Sequence, residues 1–133
     1  MSSFSDHLED ELLDHVFGNA AYSAPATVYI ALYTAAPSDS GGGTEVSGGS
    51  YVRKSVANNL TNWPSSSGGA KDNGTEITFV TATASWGTVT HFGIFDAATA
   101  GNLLGWAALG TSKPVGNGDT AKFAVGALDL TLA

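Results

Sequence analysis

Few residues in this chain carry side chains able to do covalent or metal chemistry. There are three histidines, His7, His15 and His91, and no cysteine. The lack of cysteine removes disulfides, thiolate zinc sites and a cysteine nucleophile from consideration. His7 and His15 stand eight residues apart, whereas a pair of metal ligands on one helix face is four apart. His91 sits in VTHFGIFDA, where Asp96 and one of many serines would complete a Ser-His-Asp triad on paper. No serine lies in the Gly-x-Ser-x-Gly elbow that presents such a nucleophile, and a strand histidine packed beside a tryptophan or bonded to a backbone carbonyl is the commoner arrangement. The glycine run at 41–49, GGGTEVSGG, lacks the Lys-Ser/Thr ending of a phosphate loop, and no helical pattern follows it. Asn117-Gly118-Asp119 offers oxygen ligands of the kind calcium takes, but a single Asp there is ordinary turn chemistry. The sequons at Asn59 and Asn73 bear on the reading only for a secreted eukaryotic protein. The expectation is therefore a protein that is not an enzyme, with no catalytic residues, no cofactor and no metal.

The elements available to position anything are short. The first eighteen residues carry an apolar residue every fourth position, at Phe4, Leu8, Leu12 and Val16, with Leu13 and Phe17 beside them. That spacing predicts an amphipathic helix, capped by Ser3 or Ser5 and ended by Gly18 in a left-handed conformation. From residue 25 the apolar period falls from four to two. Thr27–Tyr33 is apolar on both faces and reads as a central strand, with the helix expected to cover one face near Ile30 and Leu32. Leu12→Ala is accordingly expected to cost ~2–5 kcal/mol. Further strands are predicted at Tyr51–Ala57, Glu76–Val80, Val89–Phe95, Leu103–Leu109, Thr120–Val125 and Leu128–Leu132, with turns at 96–102, Lys113-Pro114 and 116–119. Residues 34–50 and 58–75 read as long loops, the second anchored by Trp63. The result is a single domain over 1–133: a mainly β, antiparallel β-sandwich of about seven strands over 25–133, with one N-terminal α-helix at 1–18.

Composition narrows the partners. The chain is 43% hydrophobic but only 13% charged, with five basic against twelve acidic residues and a net charge of −7. Nucleic acid and anionic membrane surfaces are poor partners for such a balance. No apolar run reaches the ~18 residues of a membrane span. The acidic opening MSSFSDHLEDELLDH is the opposite of a basic signal-peptide start. A small body with few charges to hold its copies apart is expected to self-associate, as a trimer or higher ring.

Five blocks then become specific: SDHLEDELLDHVFG at 5–18, PATVYIALYTAAP at 25–37, GGGTEVSGGSYVR at 41–53, TATASWGTVTHFGIFDA at 81–97 and GDTAKFAVGALDLTL at 118–132. In order and content they resemble a family of small tailed-bacteriophage virion proteins, often labelled phage tail fibre proteins. The resemblance implies a non-catalytic virion component, assembled in the bacterial host cytoplasm, whose partners are its own copies and other virion proteins of the capsid or tail. It also gives Trp86 the closing of a corner, Gly93 a close strand approach and Asp96 the opening of a turn. The absence of a repeat or stalk favours a head decoration (cement) protein, with a tail fibre or tail-tip protein as the alternative. That alternative could bind a host surface glycan through Tyr22, Tyr51, Trp63, Trp86 or Trp106, although those aromatics read more readily as core. Candidate partner-interface residues are Asp6, Glu9, Asp10 and Asp14 on the outer helix face, and Trp63.

Overall fold

The computed structural model describes residues 2–132. Its elements are β1 (Ser2–Phe4), α1 (Asp6–Phe17), β2 (Thr27–Ala35), β3 (Thr44–Glu45), β4 (Lys54–Ala57), β5 (Ala70–Asp72), β6 (Ile77–Thr81), β7 (Gly87–Phe95), β8 (Leu103–Val115), β9 (Thr120–Phe123) and β10 (Asp129–Thr131). The seven predicted strands are present. The three additional ones, β1, β3 and β5, are three residues long or shorter, too short to leave an alternating pattern.

The pairings are antiparallel throughout. The large sheet runs β1-β8-β7-β2-β3, with β4 also on β2. The pairs β6–β9 and β5–β10 form a second layer. Alternation along β2 sends Val28, Ile30 and Leu32 toward that layer, where they meet Phe92 and Ile94 from β7 and Ile77, Phe79 and Leu128 opposite. An aromatic group closes the centre, with the Phe123 ring 6.2 Å from Phe79 and 5.9 Å from Phe92. Trp86 packs edge-on against Tyr51 at 5.3 Å and donates Nε1–H to Gly49 O at 2.9 Å, closing a corner.

The helix covers neither the Ile30 and Leu32 face of β2, which the second layer takes, nor its outer face. Ala31 and Tyr33 pack there with Phe95 and Leu103, flanked by Tyr29 and Trp106. A Cβ on Gly93 would stand 3.0 Å from the Tyr33 ring and 3.2 Å from Leu103, so glycine is what lets this small outer cluster close. Helix α1 instead begins beside the first residues of β8, where Ser5 N–H bonds to Leu104 O at 2.9 Å, and it contains no buried residue. Leu8 alone from the helix packs against the main core. The physical reason is the start point. Phe4 belongs to β1, paired with Gly105, so the supposed stripe is split between a strand and a helix.

Three local expectations change with it. Ser5, not Ser3, caps the helix, accepting Leu8 N–H at 3.2 Å. Gly18 is not left-handed (φ −125°); Asn19 is (φ 53°), and the amides of Gly18 and Ala20 both bond to Asp14 O. Lys113-Pro114 is strand rather than turn. Pro114 is paired with Thr88, and β1 reaches only to Ala107 on the other side of β8, so the proline occupies an open edge where no donor is needed.

Candidate functional site

The residues with chemical potential are dispersed by this architecture. His15 closes the helix end, its Nδ1 3.1 Å from Ala20 O and 3.3 Å from Tyr22 N. His91 lies on the outer face of β7 with its ring 5.9 Å from Trp106, and Nδ1 is 2.8 Å from Thr90 Oγ1. Asp96, its paper partner, is committed elsewhere. One carboxylate oxygen accepts Asn102 N–H at 2.7 Å and the other accepts the Asn102 amide at 2.9 Å, opening the 96–102 turn. Burial pushes the Asp96 carboxyl up, but those bonds together hold it below its ordinary value. Among the described residues no group of three or more His, Asp or Glu is placed to hold a metal ion. No described helix is long and apolar enough to cross a membrane.

Polar side chains converge at one place, a cleft of about 520 Å³ between the start of α1, the 39–45 loop and Leu103. Arg53 anchors it. Its guanidinium forks onto Glu45, Nε to Oε2 and Nη2 to Oε1, both at 2.9 Å, and Nη1 reaches the Ala97 and Ala100 carbonyls at 2.9 Å. It also lies 3.6 Å over the Phe95 ring. The third Glu45 bond is that of Tyr51, whose hydroxyl donates to Oε2 at 2.7 Å while accepting Leu32 N–H at 3.0 Å. Arg53 is thus a fork holding β3 and the 97–100 loop to the sheet, with few donors left for a ligand. At the cleft's other end Asp39 Oδ1 accepts from Ser3 Oγ at 2.7 Å and Trp106 Nε1 at 2.8 Å, which holds its carboxyl below the ordinary value. This wall was not legible in the sequence, because Arg53, Glu45 and Asp39 come from three separated segments whose meeting depends on the strand register.

The predicted interface residues divide. Asp6, Glu9, Asp10 and Asp14 are all exposed on α1, as expected. Trp63 is buried at 5% exposure, pinning the 58–75 segment; its carbonyl accepts Lys71 Nζ at 3.1 Å, and its Nε1 meets no acceptor among the described residues. Its ring faces the interior of this chain, so Trp63 is corrected from an interface candidate to a core anchor. Trp86 is likewise buried, while Tyr22, Tyr51 and Trp106 are half-buried.

Sequence reading missed Asn73, treated as a possible sequon in a loop. It is fully buried, its amide donating to Thr75 O at 2.8 Å and Ala124 O at 2.9 Å and its Oδ1 accepting Leu128 N–H at 2.9 Å. This side-chain amide stitches β5 to the turn before β10.

A family model described as Podophage GP4 fiber I protein gp80 matches residues 3–131. A search of the curated proteins returns no match.

Proposed function

This chain belongs to that podophage fibre family and is a bacteriophage virion structural protein, and from that premise we propose that it serves as a non-catalytic part of a tail fibre engaged in host attachment. The match over residues 3–131 carries the reading. Head decoration, which the compact and unrepeated sequence favoured, draws no support from the family description. The dispersed histidines and the saturated Arg53 fork agree with a structural role. Assembly in the host cytoplasm follows from the same reading, and a host surface glycan is the attachment ligand it would meet.

Gold-labelled antibody against the chain, applied to purified particles, tests the assignment. Label is expected on fibres at the tail, and particles lacking the chain are expected to adsorb poorly to host cells. Label spread over the capsid, with adsorption intact, would return the protein to head decoration.

A further inference from the structure

The outer face of α1 is apolar where a monomer has no use for it. At 100° per residue, Leu13 and Phe17 lie on the side opposite Leu8, with Asp10 and Asp14 along one flank. Leu13 is 57% and Phe17 84% exposed. The helix carries five acidic residues and no lysine or arginine.

A surface of the opposite character exists elsewhere on the chain. Between the two layers opens a cleft of about 340 Å³ with Val89, Leu109, Val115 and Phe123 in its walls and Lys113 and Lys122 at its rim. Both lysines are exposed, and neither ammonium has a carboxylate partner among the described residues. Asp119 also lines the cleft, but its Oδ2 is engaged by Gly116 N–H at 2.8 Å.

The two surfaces cannot meet within one chain. Ser5, the cap of α1, bonds to Leu103 and Leu104, at the beginning of β8, whereas Lys113 and Val115 lie at its far end. Ten residues of strand separate Leu104 from Pro114, roughly 33 Å of rise. A helix of 12 residues, roughly 18 Å long, leaves that end and returns to β2 beside Phe95, at the same end.

We propose that α1 of one copy docks into the Lys113–Lys122 cleft of the next, Leu13 and Phe17 entering the apolar floor and Asp10 and Asp14 facing the two lysines. This is helix-in-groove recognition with charge setting its orientation. The contact is heterologous, so each copy offers a helix at one end and a cleft at the other. Repetition closes a ring if the rotation permits and extends a filament if it does not. The inference stands apart from the fibre assignment, since it concerns surfaces of this chain alone.

Sedimentation velocity of the full chain tests it. Wild-type protein is expected to associate with rising concentration. The pair Leu13→Ser and Phe17→Ser, both at exposed positions, should weaken association at least about tenfold with an unchanged circular dichroism spectrum. Asp10→Lys with Asp14→Lys, and separately Lys113→Glu with Lys122→Glu, should each do the same. Mixing those two charge variants is the sharpest arm. The helix of each now meets a cleft of opposite charge on the other, so the mixture should associate where neither variant does alone. A wild type that stays monomeric to about 1 mM overturns the proposal. So does association that survives the cleft variants, or a mixture that fails to pair.

Discussion

Ile30, Leu32 and Ile77 are at most 2% exposed between the two layers, whereas Leu13, Val16 and Phe17 on α1 are 57%, 64% and 84% exposed. Both sets are apolar residues at regular spacing in good secondary structure. They differ in what stands opposite. The strand residues face a second sheet whose own side chains interdigitate with them, while the helix turns Leu13, Val16 and Phe17 away from the body. Periodicity thus reports that a face is apolar and is silent about whether the same chain covers it.

The largest expected effect lies in the core. Ile30→Ala or Leu32→Ala should destabilise the fold by ~2–5 kcal/mol in urea unfolding, since lost burial and a residual cavity add together. A loss below about 1 kcal/mol would mean the layers are not packed as described.

Asn73→Ala comes next. It strands three backbone partners at once, one of them the amide of the fully buried Leu128, and about 2–3 kcal/mol should be lost. Asn73→Asp should be no better, because a carboxylate cannot donate to Thr75 O and Ala124 O.

The third prediction concerns alkali. Burial first, then the Glu45 carboxylate, pushes the Tyr33 hydroxyl up to about 12. Tyr51 is raised too, by burial first and by its bond to Glu45, with the Leu32 amide opposing. An unfolded tyrosine ionises near ~10. Both groups are raised in the folded state, so their contribution is complete below pH ~10; that of Tyr33 disappears as pH climbs from there through about 12, and that of Tyr51, raised further, is still being lost above it. Thermal melts should fall over that window, and tyrosinate absorbance from these two rings should appear together with unfolding. Tyrosinate absorbance from all four tyrosines rising before any loss of ellipticity would contradict the burial of this corner.

The smallest effect belongs to the helix. Leu13→Ala should change monomer stability by no more than about 0.5 kcal/mol. Leu12→Ala, set from the sequence at ~2–5 kcal/mol, should cost nearer ~1 kcal/mol because Leu12 is only half-buried. Should either match the core substitutions, the contrast between the two regions would collapse.

Legibility in the sequence followed the same division. β2 was readable because the seven residues Thr27–Tyr33 are apolar on both faces and leave few alternatives, although the strand runs on to Ala35. β7 was readable too, and of the two ordinary settings open to its histidine the structure shows the one beside a tryptophan. The helix was readable as a helix but not in its partner, since Phe4 continued the period of four from a neighbouring strand. β8 was cut short at Leu109, with Lys113-Pro114 read as a turn, because local turn chemistry does not reveal which strand edges lie open. The Arg53 fork and the Asn73 stitch were invisible for a different reason. Each joins segments far apart in the chain, and neither residue type announces burial.

Asn73 has one more consequence, in the chemical ageing of the protein. An Asn-Gly pair is where the glycine nitrogen most readily attacks the asparagine side-chain carbonyl, closing a succinimide and releasing ammonia. Here the attacking Gly74 nitrogen is tied to Asn62 O at 2.7 Å, and the target amide is held on both sides by backbone groups. Asn117-Gly118 has only half of this protection: Gly118 N–H is bonded to Ala82 O, but the Asn117 side chain is exposed. A particle stored outside its host therefore begins to deamidate at the 117 turn, where a new negative charge arises beside Asp119, and the 73 stitch outlasts it.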